Sequence, residues 1–342
     1  MWRPRSYREG GVQTRGPWTV IPLTVETQEG AEPPALLSCR EAWEQERLRL
    51  RESSSQFYLW VEVVGEVPVV LPIQEVLVGG VQNRLPTYPL LLEQETSKLP
   101  VFCVERGRSS GDPEGVFQFS PYALPLPVRR AMLEAFMPRY ETFTQTRPNF
   151  ILGLRMAQRR DEEEILMPVP YTYEYSEWVP GAPPTQEAVW EAVAQCLGSH
   201  GVESPTQNVL DFYQGKQEEV EAALALFPVQ PGQSGVVVCR EGRVWGVEWC
   251  ASSAAWAAYH RPLLASYFLD TGQQGPDLAS LGEVDDFLMR LQEVAQERPP
   301  VETSVLSRGC CRFFELEVEG QALRGYLLED KGQPYFLSVL AA

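Results

Sequence analysis

A chain of 342 residues, 44% hydrophobic and 22% charged, exceeds the size of a single core and is too apolar for disorder, so two globular domains are expected. Its 29 basic and 46 acidic side chains give a net charge of −17, which argues against nucleic acid as a partner. No run reaches the roughly 20 apolar residues of a membrane span, and no apolar stretch backs the basic start at Met1 to Gly11, so no membrane association and a cytoplasmic location are expected.

Charge is uneven along the chain. Residues 1–180 carry 19 basic and 24 acidic side chains, and residues 181–342 carry 10 and 22, so a site for an anion is expected in the N-terminal half, where arginine is available. The seven cysteines are odd in number and include no C-x-x-C pair. They read as free thiols.

In chain order, Trp18 to Leu23 reads as a strand, and Ser38 with Glu41 has the spacing of a capping box ahead of a short helix through Trp43. Apolar runs at Phe57 to Val64, Val67 to Leu71, Ile73 to Val78, Tyr88 to Leu92 and Lys98 to Glu105, bracketed by Gly, Pro and Asn, read as strands of a sandwich-like antiparallel unit. A helix is expected over Val128 to Met137, and the mixed run Arg159 to Glu164 reads as a solvated loop. A helix then starts after Pro183-Pro184-Thr185 and ends at Gly198, and another carries Val220, Ala223, Leu224 and Phe227 on one face. Next come a hairpin of Gly235 to Cys239 and Val244 to Trp249, a helix capped at Ser252 or Ser253 and interrupted by Pro262, and a helix lined by Val284, Phe287, Leu288 and Leu291. Strands around Phe313 to Val318, Ala322 to Leu328 and Tyr335 to Leu340 close the chain. The class is α+β: a β-rich domain over 1–110, a proline-rich connection with a helix over 111–184, and over 185–342 an antiparallel sheet with helices on one face.

Chemistry-bearing residues are sparse. Two separated histidines, His200 and His260, cannot build a histidine zinc site; His200 reads as a helix-ending turn residue and His260 as helix-terminal or partly buried. The glycine-rich signatures that cradle phosphates are absent, and neither a metal nor a cofactor is expected. Two polar groups stand at strand ends: Gln82, Asn83 and Arg84 behind Gly79-Gly80, and Glu105, Arg106 and Arg108 behind Cys103. Gln82, Asn83, Arg84, Glu105 and Arg108 are expected to converge on one partly exposed pocket, with Glu105 occupying an arginine as a stand-in anion. The bland alternative is that they satisfy loop backbone and each other. Cys103, flanked by Val and Phe, reads as a core residue, and Trp245, Trp249 and Trp256 as core or interface aromatics.

The strings QEVLVGGVQNR, PVFCVERGR, PGQSGVVVCREGRVWGVEW and ASYFLD resemble a family named for its association with ADP-ribosylglycohydrolases and rhodanese-phosphatase proteins, collinear from about Trp18 to the C-terminus. The resemblance implies a link to metabolism derived from NAD or ADP-ribose. Two functions are therefore carried forward. One is an accessory protein that binds an anionic small molecule, or a protein partner or second copy; the other is an enzyme on a phosphorylated small molecule, with Glu105 as acid or base and the arginines holding the anion.

Overall fold

The computed structural model describes residues 3–6, 11–26, 34–108, 110–112, 115–137, 139–149, 169–179, 181–270, 281–301 and 309–342. The run Arg159 to Glu164 lies outside them.

The class is α+β, with sheets that are almost wholly antiparallel. In the larger sheet the short strands β1 (Arg3–Ser6) and β2 (Gln13–Arg15) both pair with one edge of β3 (Trp18–Glu26), whose other edge continues into β15 (Gly235–Arg240), β16 (Arg243–Cys250), β19 (Gln333–Ala341), β18 (Gln321–Asp330) and β17 (Cys310–Val318). Leu23 pairs with Gly235 and Trp18 with Arg240, so an N-terminal strand lies inside the C-terminal sheet. Met1–Ala135 and Pro183–Ala342 accordingly form one compact unit, and Phe136–Ala182 forms a second. This differs from the boundaries expected near residues 110 and 185. Local patterning reveals a strand but not the distant strand it pairs with.

Helices cover both faces of this sheet, where the sequence suggested one. On one face, Val284, Phe287, Leu288, Leu291 and Ala295 of a helix over Leu281–Glu297 pack with Val237, Val247, Trp249, Leu337 and Val339. The alternate residues of the same strands face a helix over Ser253–Phe268 and one over Leu126–Ala135: Tyr267 and Arg129 both reach Glu248. Pro262 does not interrupt the Ser253–Phe268 helix. The buried Tyr259, Leu263, Leu264 and Tyr267 on either side of it supply packing that outweighs one missing backbone hydrogen bond.

The remaining N-terminal strands are β5 (Leu48–Glu52), β6 (Tyr58–Val63), β8 (Leu77–Gly79), β9 (Arg84–Pro86), β11 (Thr96–Cys103) and β12 (Phe117–Phe119), in the order β12-β8-β9-β11-β6-β5. A bridge between Arg51 and Val116, with Glu52 N–H donating to Gly115 O at 3.0 Å, brings the two outer strands together and curls the sheet into a small barrel. Leu48, Leu50, Leu59, Val61, Leu99, Val101 and Phe117 are buried, and the alternation of each strand turns them to one side. A three-stranded sheet of β4 (Leu37–Ser38), β7 (Val69–Leu71) and β10 (Leu90–Leu92) accompanies it, with β4 and β7 parallel. In the second unit, β13 (Arg139–Asn149) and β14 (Val169–Val179) pair in continuous antiparallel register.

The α-helices among the described residues are α1 (Cys39–Glu44), α2 (Leu126–Ala135), α3 (Gln186–Ser199), α4 (Gln217–Ala225), α5 (Ser253–Phe268) and α6 (Leu281–Glu297). None among the described residues is long and apolar enough to cross a membrane. The capping box read from the sequence is present at α1: Ser38 Oγ accepts from Glu41 N–H at 3.0 Å, and Glu41 Oε2 accepts from Ser38 N–H at 3.0 Å. Ser38→Ala is expected to cost about 1 kcal/mol, measured as a lowered urea midpoint at unchanged slope.

Candidate functional site

The polar residues singled out in the sequence lie at one end of the barrel, where β8 turns into β9 and β11 ends. Gly80 makes that turn with φ of +48°, and a side chain there would strike Glu52 and the Phe117 ring. The turn sets Gln82, Asn83 and Arg84 beside the end of β11, because Arg84 pairs with Cys103.

An inner group follows from strand alternation. Arg84 and Cys103 oppose each other, and Glu52 occupies a buried position of the Leu-Arg-Leu-Arg-Glu strand. Arg84 Nη2 pairs with Glu52 Oε1 at 3.3 Å, and Nη1 donates to Gln82 Oε1 at 3.0 Å and to Cys103 Sγ. The second Glu52 oxygen accepts from Val81 N–H at 2.8 Å. Both charged side chains are only 3% exposed, a setting in which a charge persists only when paired. Burial pushes the Cys103 thiol up, with Glu52 adding to the effect and Arg84 opposing it. It is a protonated hydrogen-bonding partner rather than a thiolate.

An outer group shares Gln82, whose Nε2 donates to Glu105 O at 3.0 Å. Glu105 Oε2 pairs with Arg108 Nε at 2.7 Å, and Oε1 accepts from Thr206 Oγ1 at 3.2 Å. Arg108 also donates to Gly80 O at 3.0 Å, Gly79 O at 3.4 Å and Asn83 Oδ1 at 3.1 Å. Asn83 Nδ2 reaches Asn208 Oδ1 at 3.2 Å. The chain after α3 is drawn against this end, with Glu105 bridged to Asn208 and Gly107 N–H donating to Thr206 O at 2.8 Å. Only glycine fits at position 107, since a Cβ would lie 2.9 Å from the Thr206 backbone. Gln186, the first residue of α3, seals the end of β11: Cys103 N–H donates to its Oε1 at 2.8 Å, and its Nε2 donates back to Cys103 O at 2.9 Å.

The five expected residues thus split. Gln82, Asn83, Glu105 and Arg108 form one network, while Arg84 turns to Glu52 and is joined to them through Gln82. Arg108 keeps 28% of its side chain exposed, and the exposed Arg106 lies over the Trp190 ring at 5.2 Å.

A family model described as the ARG and Rhodanese-Phosphatase-superfamily-associated Protein domain matches residues 6–323. The chain belongs to this family. No curated protein and no solved structure matches it. In this family member Glu52, Gln186, Thr206 and Asn208 complete the network, and sequence reading did not place them there. Glu52 carried a usable signal, being the charged residue in the buried phase of an alternating strand. Thr206 and Asn208 lie about 100 residues from Glu105 in sequence and carried none.

The other reactive groups are dispersed. Among the described residues no three of His, Cys, Asp or Glu are grouped to hold a metal ion, and all seven cysteines are free, six of them buried. His260 is buried within α5, its ring 5.9 Å from that of Trp256. His200 caps α3, with Nδ1 at 2.8 Å from Cys196 O. Trp245, Trp249 and Trp256 are core residues. On the outer side of the barrel Arg49, Arg51, Trp60, Thr96 and Val116 line a cleft of about 450 Å³.

Proposed function

We propose that this family member is an accessory binding protein that takes an anionic small molecule of the ADP-ribose type at the barrel mouth, between Arg106 and Arg108. The observation that carries this reading is the Glu105–Arg108 pair. A carboxylate holds the one partly exposed arginine of the cluster, whose other donors are fixed on Gly79 O, Gly80 O and Asn83 Oδ1. A phosphate or carboxylate can replace Glu105 on a guanidinium already oriented by the fold, and preorganisation of this kind favours binding. The enzyme reading draws less support. Glu105 is committed to Arg108, Asn83 and Thr206, and the nearby Cys103 thiol is held protonated.

The test is a thermal-shift screen against NAD, ADP-ribose and phosphosugars, using wild type and Arg108→Ala. A ligand at a hundred times its dissociation constant stabilises by about 2.7 kcal/mol, a rise in Tm on the order of 5 °C. Such a rise for ADP-ribose in wild type, absent in Arg108→Ala, is expected; no rise with any of these ligands would refute the reading.

A further inference from the structure

The outer face of the barrel is apolar where exposure to water favours polar side chains. Leu59, Val61 and Val63 of β6 are buried, so strand alternation turns Tyr58, Trp60 and Glu62 outward. Of the nine large apolar side chains exposed among the described residues, five lie on β6, at its ends or at the bridge that closes the barrel: Phe57, Tyr58, Trp60, Val64 and Val116. Single exposed apolar residues are ordinary, but a cluster of them marks an interaction surface. Trp60 is 43% exposed and Val116 63%, and both wall the cleft of about 450 Å³.

The charges beside this cleft are opposite in sign to the chain's. Trp60 stands between Arg51 and Lys98 in one cross-strand row, and Arg49, Glu62 and Thr96 form the next. Lys98 Nζ lies 5.4 Å from the Trp60 ring centre, a cation–π contact, and Arg49 pairs with Glu62 at 3.3 Å. Arg51 makes no side-chain hydrogen bond or ion pair among the described residues. The outward residues of β5, β6 and β11 thus carry three cations and one acid, on a chain with 29 basic and 46 acidic side chains. Glu44 and Glu46 border the adjoining hollow beside Trp43, which confines the positive stretch to these two rows.

We infer that this face docks a short acidic segment of a partner protein. An apolar side chain of the segment enters the cleft between Trp60 and Val116, and its carboxylates meet Arg51, Lys98 and Arg49. Three arguments select this occupant. A second copy offering the same face would set three cations against three. Nucleic acid draws its affinity from many phosphate contacts, and three cations, one of them already paired, are too few on a chain of net charge −17. A tryptophan and an arginine beside an apolar wall, by contrast, are the side chains that dominate protein–protein affinity. Arg51, Trp60 and Lys98 belong to neither polar group of the barrel mouth, so this inference does not rest on the anion site proposed there.

Phage display of random dodecapeptides on the immobilised full chain, followed by fluorescence anisotropy of the selected peptides, tests it. The expected consensus places at least two acids around an apolar residue. Its binding should weaken at least tenfold in Trp60→Ala and in Arg51→Glu, each with unchanged circular dichroism, and stay within twofold of wild type in Arg108→Ala. The inference is overturned if no consensus emerges, if the consensus lacks acids, or if Trp60→Ala and Arg51→Glu both bind within twofold of wild type. Two further results would also overturn it. Tighter binding of a labelled oligothymidylate than of the peptides would give the face to nucleic acid, and a dimer in sedimentation velocity that Trp60→Ala dissociates would give it to a second copy.

Discussion

Arg129→Met is expected to destabilise the protein by about 3–5 kcal/mol, read from urea denaturation at neutral pH. Arg129 stands on α2 and is 2% exposed, and it spans three elements: Nη2 pairs with Glu248 of β16 and donates to Ser338 of β19 at 2.9 Å, and Nη1 donates to Ser266 of α5 at 3.4 Å. Tyr267 Oη donates to the same Glu248 oxygen at 2.8 Å. Burial pushes the Glu248 carboxyl above its ordinary value, and Arg129 opposes the rise. Removing the arginine leaves a fully buried carboxylate without a counter-charge, the costliest way to break such a pair. Arg129→Met combined with Glu248→Gln, which keeps an acceptor for Tyr267 and removes the orphan charge, should recover at least about 1 kcal/mol. A double variant that simply adds the two losses would show that the pair is not coupled.

The second large effect is on pH dependence. His260 is 2% exposed, and burial, with Arg261 adding to it, lowers its pKa to about 4, against about 6.5 in an unfolded chain. Above pH 6.5 the ring is neutral in both states and costs nothing. As pH falls from 6.5 towards 4 the unfolded chain takes up a proton that the folded protein refuses, so stability declines; below 4 the loss levels off. The gap corresponds to about 3 kcal/mol. Glu75 and Glu248, both pushed up by burial, contribute the opposite trend, with stability lost as pH rises. The His260 effect must therefore be taken as a difference. The stability of wild type relative to His260→Leu should fall by about 3 kcal/mol between pH 7 and 4, whereas parallel profiles would place His260 where water reaches it.

How much of this was legible depended on the range of each interaction. The capping box at Ser38, the helix face of Val284 to Leu291 and the terminal strands rest on neighbours a few residues apart, and the pattern shows them. The strand Leu48–Glu52 was equally readable, since Leu, Arg, Leu, Arg and Glu alternate perfectly between buried and exposed sides. Its alternation went unread, and with it the partner of Arg84. Ile73 to Val78 misled in the other direction: only Leu77 onward is strand, while Gln74 and Glu75 turn inward to Tyr326 and Arg40. The location of the polar cluster was visible because both arms end strands beside glycine. Its internal pairing was not, because Glu52, Thr206 and Asn208 arrive from distant parts of the chain.

The central claim is that Glu105 stands in for a ligand anion on Arg108, and calorimetric titration of ADP-ribose into wild type, Glu105→Gln and Arg108→Ala tests it most directly. A stand-in competes with the ligand. Glu105→Gln should therefore tighten binding by about fivefold, roughly 1 kcal/mol, and Arg108→Ala should abolish it. If Glu105→Gln weakens binding or leaves it unchanged, or if Arg108→Ala binds as wild type does, the cluster serves the fold alone and the account is contradicted.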